Sequence, residues 1–132
     1  MMKKHLLAMA VTLVAAGSAF AQAGDTLAKI KSSGSITLGV RESSGLGYTL
    51  GNGKYVGFHT EMAEHIVSDL QKQLGLPKLE IKYQPVTSQN RVPLVQNGTV
   101  DLECGSTTNS QSRQKDAAFA FTTYVEEVRI AT

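Results

Sequence analysis

The sequence contains one cysteine, no tryptophan and only three prolines among its 132 residues. A single cysteine cannot form a disulfide within the chain, so Cys104 is expected to be a buried free thiol or to pair with an absent partner. A catalytic thiol would need a histidine base, and neither His59 nor His65 lies in a recognisable cysteine-hydrolase signature. The cysteine content therefore disfavours a thiol enzyme.

Long apolar runs are also scarce, and the one that is present lies at the start of the chain. Leu6–Ala16 follows Lys3 and Lys4, and Ala19-Phe20-Ala21 has the small-x-small pattern of a cleavage site. A membrane-spanning helix needs roughly 20 apolar residues, so this run is too short to cross a bilayer. We predict that residues 1–21 are a cleaved secretory signal peptide, with a retained membrane anchor as the alternative.

Without this segment the chain has no net excess of positive or negative charge. Cleavage after Ala21 takes away Lys3 and Lys4 and no acid, so the 13 basic residues fall to 11 and equal the 11 acidic ones. No basic stripe remains, which disfavours a nucleic-acid or membrane-surface partner. The remaining 111 residues are enough for one domain with a core, and the apolar fraction of 42% argues against disorder.

Three segments show the alternating apolar residues and glycine boundaries that are typical of strands. They are Gly34–Val40, Leu79–Val86 and Thr99–Gly105. Asn52-Gly53, which lies between apolar residues, predicts a hairpin turn. A further strand is expected to begin in Val125–Thr132.

A long amphipathic helix is predicted between the first two of these strands, because apolar residues recur every four positions from Met62 to Leu74, and Ala63 and Val67 widen this stripe. Thr60 is expected to cap its start, and Gly75 with Pro77 to stop it.

Two shorter helices are predicted further along the chain. The first covers Ser88–Asn97, and Pro93 places its start at Gln89 or Asn90 because proline is tolerated only in the first turn. The second covers about Ser110–Ala118. Strands that alternate with helices predict an α/β domain with a mostly parallel sheet and flanking helices.

Polar clusters follow the three predicted strands at the edge where parallel sheets bind ligands. They are Arg41–Ser44, Thr87–Arg91 and Ser106–Asn109. Two arginines and several hydroxyls at one edge suit a small anion. Taken singly, the hydroxyls are ordinary cap and turn residues and the arginines ordinary surface residues, so the pattern alone leaves the two interpretations balanced.

The segments "LGVRESSG", "TSQNR" and "ECGSTT" resemble the periplasmic amino-acid-binding proteins of ABC importers, solute-binding protein family 3. Within that family they are most similar to the glutamate/aspartate-binding type, and the resemblance runs from about Asp25 to Thr132. It implies a type II periplasmic-binding-protein fold, with two α/β lobes that close on the ligand around a hinge. Family members are much longer, so residues 22–132 are expected to be the first lobe, ending near the hinge crossover, with the second lobe missing.

The resemblance also implies roles for five residues. Arg91 resembles the arginine that binds the α-carboxylate of the ligand. Ser106 and Thr108 resemble the partners of the α-carboxylate and ammonium groups. Arg41 and Ser88 resemble the groups that neutralise a side-chain carboxylate.

The family resemblance predicts that the whole protein is a monomer in the periplasm. It would bind L-glutamate or L-aspartate and pass it to an ABC permease in the inner membrane, without a catalytic residue, metal or cofactor. The loop Gly45-Leu46-Gly47 replaces the proline and aromatic often found there, so the preference among aspartate, glutamate and a larger anion stays open.

Two other functions fit the same scaffold: a dehydratase-like or peptidoglycan-cleaving enzyme, and the sensor domain of a chemoreceptor or histidine kinase. An enzyme would need a general acid in the cleft. The acids close to the polar clusters are Glu42 and Glu103, and Glu103 is expected to face away from the side of the sheet that carries Cys104. The sequence shows no paired carboxylates, so the binding function is favoured.

Overall fold

The strand Ser35–Val40 lies at the centre of a three-stranded parallel sheet, with one neighbour on each side. In this computed structural model, which describes residues 26–125, Glu80–Pro85 pairs with the central strand over six residues. Leu102–Glu103 pairs with its other edge. The predicted α/β class and parallel sheet are therefore confirmed. The predicted signal peptide and nearly all of the last predicted strand lie outside the described residues.

Helices and a small antiparallel sheet surround this parallel sheet. In chain order the elements are α1 (Thr26–Ser33), β1 (Ser35–Val40), β2 (Ser43–Ser44), β3 (Gly47–Gly51), β4 (Lys54–Val56), α2 (Phe58–Gln73), β5 (Glu80–Pro85), α3 (Arg91–Gln96) and β6 (Leu102–Glu103), followed by a 3-10 turn at Arg113–Lys115.

The core lies between β1 and the helices packed on it. Alternate residues of β1 point inward, and Leu38 is completely inaccessible to solvent. α1 contributes Ile30, and α2 contributes Ala63 and Val67. Burial of these side chains holds both helices against the same strand.

α2 begins earlier than the sequence predicts, and its start is not capped by a side chain. Gly57 is the N-cap residue, and the amide of Glu61 donates to its carbonyl over 3.0 Å. Thr60 lies buried inside the first turn, so the expectation that it caps the helix is wrong. The cause is Gly57, whose φ of +114° lets the chain enter the helix directly from the hairpin.

The other end of α2 and the hairpin agree with the sequence prediction. Leu74 is the C-cap residue and Gly75 follows with a φ of +65°. β3 and β4 pair in antiparallel fashion around Asn52 and Gly53, whose φ values of 52° and 73° are those of a hairpin turn with two left-handed residues.

The face that α2 buries is one side of the predicted stripe. Ala63 and Val67 are buried, whereas Ile66 is 44% exposed and Met62 is half-buried. The side of the stripe that carries Ala63 and Val67 therefore faces the core. Met62 and Ile66 are left facing a cavity.

α1 was not predicted from the sequence, and it fastens one edge of the sheet. Lys29 Nζ donates to Asp101 Oδ1 and to the Gly98 carbonyl, both over 2.8 Å. Asp101 Oδ2 accepts the amide of Thr37 over 2.9 Å. This network holds the start of β6 beside the middle of β1.

α3 begins at Arg91, one or two residues after the predicted start at Gln89 or Asn90, and Asn90 is its N-cap residue. The turn before it is held by Thr87, whose Oγ1 accepts the amides of Gln89 and Asn90, each over 3.3 Å. Ser88 is exposed and makes no side-chain hydrogen bond within the described residues, so it is not a cap.

The predicted helix over Ser110–Ala118 is wrong in its extent. Only the 3-10 turn Arg113–Lys115 forms there. The hydroxyls of Ser110 and Ser112 lie 3.0 Å apart, and Ser110 Oγ accepts the amide of Arg113. Side chains that bond to each other and to nearby amides in this way favour turns over a continuous helix.

No helix among residues 26–125 is both long enough and apolar enough to cross a membrane.

Replacing Gly57 with alanine should lower the free energy of unfolding by about 2 kcal/mol, because backbone of this kind is essentially restricted to glycine. A Cβ at this position would lie 2.9 Å from the Leu46 carbonyl oxygen. Chemical denaturation measures the difference. Gly45→Ala is the matched control, since nothing lies within 4 Å of its Cβ position, and its cost should stay below about 0.5 kcal/mol. Equal costs at the two positions would contradict this account.

Candidate functional site

The three polar clusters meet at the carboxyl edge of the parallel sheet. β1 stays paired with the β5 side beyond the strand ends, since the Val86 amide donates to the Val40 carbonyl over 2.9 Å. On the other side, Gly39 is in register with Glu103. Arg41 therefore leaves the sheet between the segment that carries Arg91 and the loop that follows β6.

Arg91 is a buried cation with few partners. It is the first residue of α3 and only 5% exposed. Its Nη1 lies 3.5 Å from Ser106 Oγ and 3.9 Å from Glu103 Oε1. Its Nε is buried and has no hydrogen-bond partner within the described residues. Most of the N–H groups of this guanidinium are thus uncommitted.

Burial lowers the pKa of the Arg91 guanidinium, the nearby Glu103 carboxylate opposes that shift, and the positive charges of Arg41 and Arg113 add to it. An arginine stays protonated in spite of such a shift. The surroundings therefore make this cation a strong attractor for an added anion.

Arg41 is half-buried at the end of β1. Its Nη1 donates to the Val86 carbonyl over 3.3 Å, while its Nε is buried without a partner in residues 26–125. The carbonyl holds the side chain over the end of β5, so a second positive charge lies at the same edge of the sheet as Arg91.

The remaining predicted site residues differ in their placement. Ser106 contacts Arg91, and Thr108 offers its backbone carbonyl to Arg113 Nη1 over 3.0 Å. The side chains of Ser88 and Thr108 are exposed, and within the described residues neither one bonds to Arg41 or Arg91. The domain therefore brings together Arg41, Arg91 and Ser106, and leaves the other two at the rim.

Glu103 is a site residue to which the sequence analysis gave no ligand role. Its side chain is 9% exposed, and its Oε2 accepts a hydrogen bond from Thr107 Oγ1 over 2.7 Å. Cys104, the next residue, packs instead against the main core. The expectation that these two side chains face opposite sides of the sheet is confirmed, yet the side that Glu103 faces is the one that holds Arg91.

A cavity of about 510 Å³ opens beside Arg91. Ligand sites commonly have volumes of about 300–1,000 Å³, so this space suits a small molecule. Its polar wall includes Arg91, Ser106 and Thr108, whereas Met62 and Ile66 give it an apolar side. Arg41 and Ser88 do not line it.

His59 lines the same cavity and was also missed as a site residue. It is 3% exposed, and neither ring nitrogen has a hydrogen-bond partner among residues 26–125. Burial lowers the pKa of this imidazole, although Glu103 opposes the shift. The ring is therefore neutral at physiological pH, and a lone histidine gives no sequence signal for such a position.

Among residues 26–125, no three His, Cys, Asp or Glu side chains converge in a way that could hold a metal ion.

Residues 36–132 match the family described as bacterial extracellular solute-binding proteins, family 3. The chain is 46% identical over 127 residues to the glutamate/aspartate import solute-binding protein of Escherichia coli K12, covering 96% of this chain and 42% of that protein. It is 50% identical over 97 residues to the L-glutamate/L-aspartate-binding protein of Pseudomonas aeruginosa, covering 72% of this chain and 32% of that protein. The chain thus spans less than half the length of these curated relatives.

The fold is similar to that of a solved solute receptor for L-cysteine from Neisseria gonorrhoeae. The TM-score is 0.61 at 34% identity, and the match covers 72% of this chain and 37% of that one. The described domain therefore has the fold of a lobe of a type II periplasmic binding protein.

The thiol of Cys104 should react slowly with iodoacetamide, because burial, with a smaller contribution from Glu103, raises its pKa to about 11. Since the thiolate is the reactive form, the rate should rise about tenfold per pH unit from about pH 8 to 10. A folded pKa above the unfolded one also means that this group stabilises the fold fully below about pH 8.5, and that this contribution is lost as the pH approaches 11.

Alkylation rates measured across this pH range check the prediction. The chain unfolded in denaturant is the control, and its rate should be half-maximal near pH 8.5–9, about the ordinary thiol pKa, and level off above that. A plateau at the same pH in the folded protein would show that burial has no such effect.

Proposed function

The chain belongs to the family 3 bacterial extracellular solute-binding proteins, and on that basis we propose that it captures an acidic amino acid, L-glutamate or L-aspartate, for an ABC importer. Two relatives with 46% and 50% identity carry names that specify this pair of ligands. The observation that supports it most directly is the buried guanidinium of Arg91, which lines the cavity and makes one side-chain hydrogen bond, to Ser106, within the described residues.

Arg91 is the proposed partner of the ligand's α-carboxylate. A planar guanidinium makes two parallel hydrogen bonds to a carboxylate, each contributing about 1.5–3 kcal/mol. Ser106, which already contacts Arg91, and Thr108, at the rim of the same wall, are the proposed partners of the α-carboxylate and the ammonium group.

Arg41 and Ser88 are the proposed partners of the side-chain carboxylate, and this contact selects an acidic ligand over a neutral one. Arg41 lies close to the backbone of the loop that follows β6, since a Cβ on Gly105 would be 3.5 Å from Arg41 Cγ. Its charge acts on Arg91. A dicarboxylate that bridges the two arginines relieves the repulsion between them, which a neutral ligand does not do.

A two-lobe arrangement follows from family membership, and in it residues 22–132 supply one wall of the ligand cleft. The apolar surface of Met62 and Ile66 then belongs to the same opening as Arg91. The rest of the proposal is that residues 1–21 direct export to the periplasm, that the protein is a monomer, and that it transfers its ligand to an inner-membrane permease without chemical change.

Titration of the ¹⁵N-labelled chain with L-glutamate, L-aspartate and L-glutamine tests the ligand class. The two acids should shift the amide resonances of Arg91, Ser106 and Thr108 at lower concentration than glutamine does, because only they carry a second carboxylate. Shifts of equal size with glutamine would remove the acidic specificity. An absence of saturable shifts with any of the three would remove the proposed site.

Arg41→Ala should weaken binding of L-glutamate by about tenfold or more, the equivalent of one charge-assisted hydrogen bond. Binding of L-glutamine should change by less than about twofold, since it offers no second carboxylate. Lys78→Ala is the matched control, because it removes the same charge from an exposed residue just before β5, at the opposite edge of the sheet. Unchanged glutamate affinity in the Arg41 variant would rule out the role assigned to this arginine.

A further inference from the structure

The Glu103 carboxylate is the nearest negative charge to Arg91. The Glu103 and Arg91 side chains are 9% and 6% exposed, and the closest atoms, Oε1 and Nη1, are 3.9 Å apart. That separation is too long for a hydrogen bond but short enough for strong Coulomb attraction in a buried site. Glu103 therefore balances the charge of the guanidinium without occupying its donors.

The position of Glu103 is prepared by two glycines. A Cβ on Gly105 would overlap Glu103 Oε1, and a Cβ on Gly39 would lie 3.2 Å from Glu103 Cγ. On the far side of the carboxylate, Thr107 donates a 2.7 Å hydrogen bond to Oε2. The two glycines thus leave room for the Glu103 side chain, and the Thr107 hydrogen bond fixes its position.

Glu103 does not present its second oxygen to the cavity. Oε1 is buried, has no hydrogen-bond partner in residues 26–125, and is closed off from solvent. Arg91 and Glu103 both line the cavity, so a ligand carboxylate held by Arg91 also lies close to the charge of Glu103.

The charged groups around Arg91 include more positive than negative side chains. Arg41 approaches from the end of β1 and Arg113 from the 3-10 turn, and both repel Arg91. From α2 comes His59, which burial keeps neutral. Among the groups that act on Arg91 in the described residues, Glu103 is the one that carries a negative charge.

We propose that Glu103 is a positioning residue that sets the anion affinity of Arg91: it stabilises the empty site and competes electrostatically with the ligand's carboxylate. This inference rests on the proposed function, in which that carboxylate is the incoming anion. As a consequence, Glu103 affects the stability of the unliganded domain and its anion affinity in opposite directions. Removing the charge of Glu103 makes the unliganded domain less stable and makes anion binding tighter.

Glu103→Gln tests this, because glutamine keeps the volume and can still accept the Thr107 hydrogen bond. The melting temperature of the unliganded chain should fall by several degrees, and the Kd for L-glutamate should fall at least about threefold. A simple packing defect would instead weaken both. Glu80→Gln is the matched control, since it removes the same charge from an exposed residue at the opposite edge of the sheet and should change neither quantity.

Thr107→Val is a second variant in case Glu103→Gln folds poorly. It removes the hydrogen bond to Oε2 while leaving the carboxylate charge in place, so it should lower the melting temperature by a smaller amount and leave the Kd for L-glutamate within about twofold. Weaker glutamate binding in both variants would overturn the proposal and would leave Glu103 with a purely structural role.

An experiment without ligand separates this inference from the proposed function. The unfolding equilibria of the wild type, Glu103→Gln, Arg91→Gln and the double variant form a double-mutant cycle. The cycle should show a coupling of at least about tenfold between the two residues, because each single variant leaves one buried charge unpaired. A coupling near onefold overturns the inference.

Acetate, a bare carboxylate, completes the design. If the wild type binds acetate but not glutamate, the proposed function fails, while tighter acetate binding in Glu103→Gln still supports the role of Glu103. If the variant binds acetate no more tightly than the wild type, the inference fails whatever the natural ligand is.

Discussion

The pairing of β1 with strands on both sides is the constraint on which the rest of the domain depends. β1 is held to β5 over its whole length and to β6 at Leu38 and Gly39. The Asp101 carboxylate strengthens the second junction, because it bonds both the Thr37 amide and the Lys29 ammonium. Since all three strands run in the same direction, their carboxyl ends lie together, and the side chains that follow them share one small volume. A shift of β6 by one residue would turn Glu103 to the core side and remove the counter-charge from Arg91.

Burying the charge of Arg91 costs desolvation free energy, and the groups around the guanidinium offset that cost only in part. The guanidinium is desolvated and lies near two other positive charges, and the carboxylate that opposes them stays beyond hydrogen-bonding distance. Such an arrangement leaves stabilisation that an incoming carboxylate can supply. In the proposed function, this carboxylate belongs to the ligand. Nearby, the neutral His59 and the protonated Cys104 add no charge of their own.

The parts of the fold that the sequence predicted well are those that depend on local geometry. Alternating apolar residues identified the parallel strands, Asn52-Gly53 identified the hairpin, and Gly75 identified the end of α2. The predictions that failed concern where a helix begins and how far it extends. Thr60 was expected outside α2 and lies inside it, because Gly57 turns the chain earlier. The predicted helix over Ser110–Ala118 is mostly irregular, since hydroxyls there bond to each other and to nearby amides. The ligand roles of Arg41, Ser88, Arg91, Ser106 and Thr108 came from family resemblance and remain proposals.

The α/β class, the order of the main strands and helices, and the polar clusters at the strand ends can be predicted from the amino-acid sequence, because periodicity and turn residues act over a few positions. The burial of Arg91 and its approach to Glu103 are visible only in the folded domain. The tertiary structure also decided that Met62 and Ile66 would line a cavity instead of filling the core. These outcomes depend on contacts between residues far apart in the chain, such as the approach of Glu103 to Gly39. Burial and charge compensation are properties of that packing, and no local pattern specifies them.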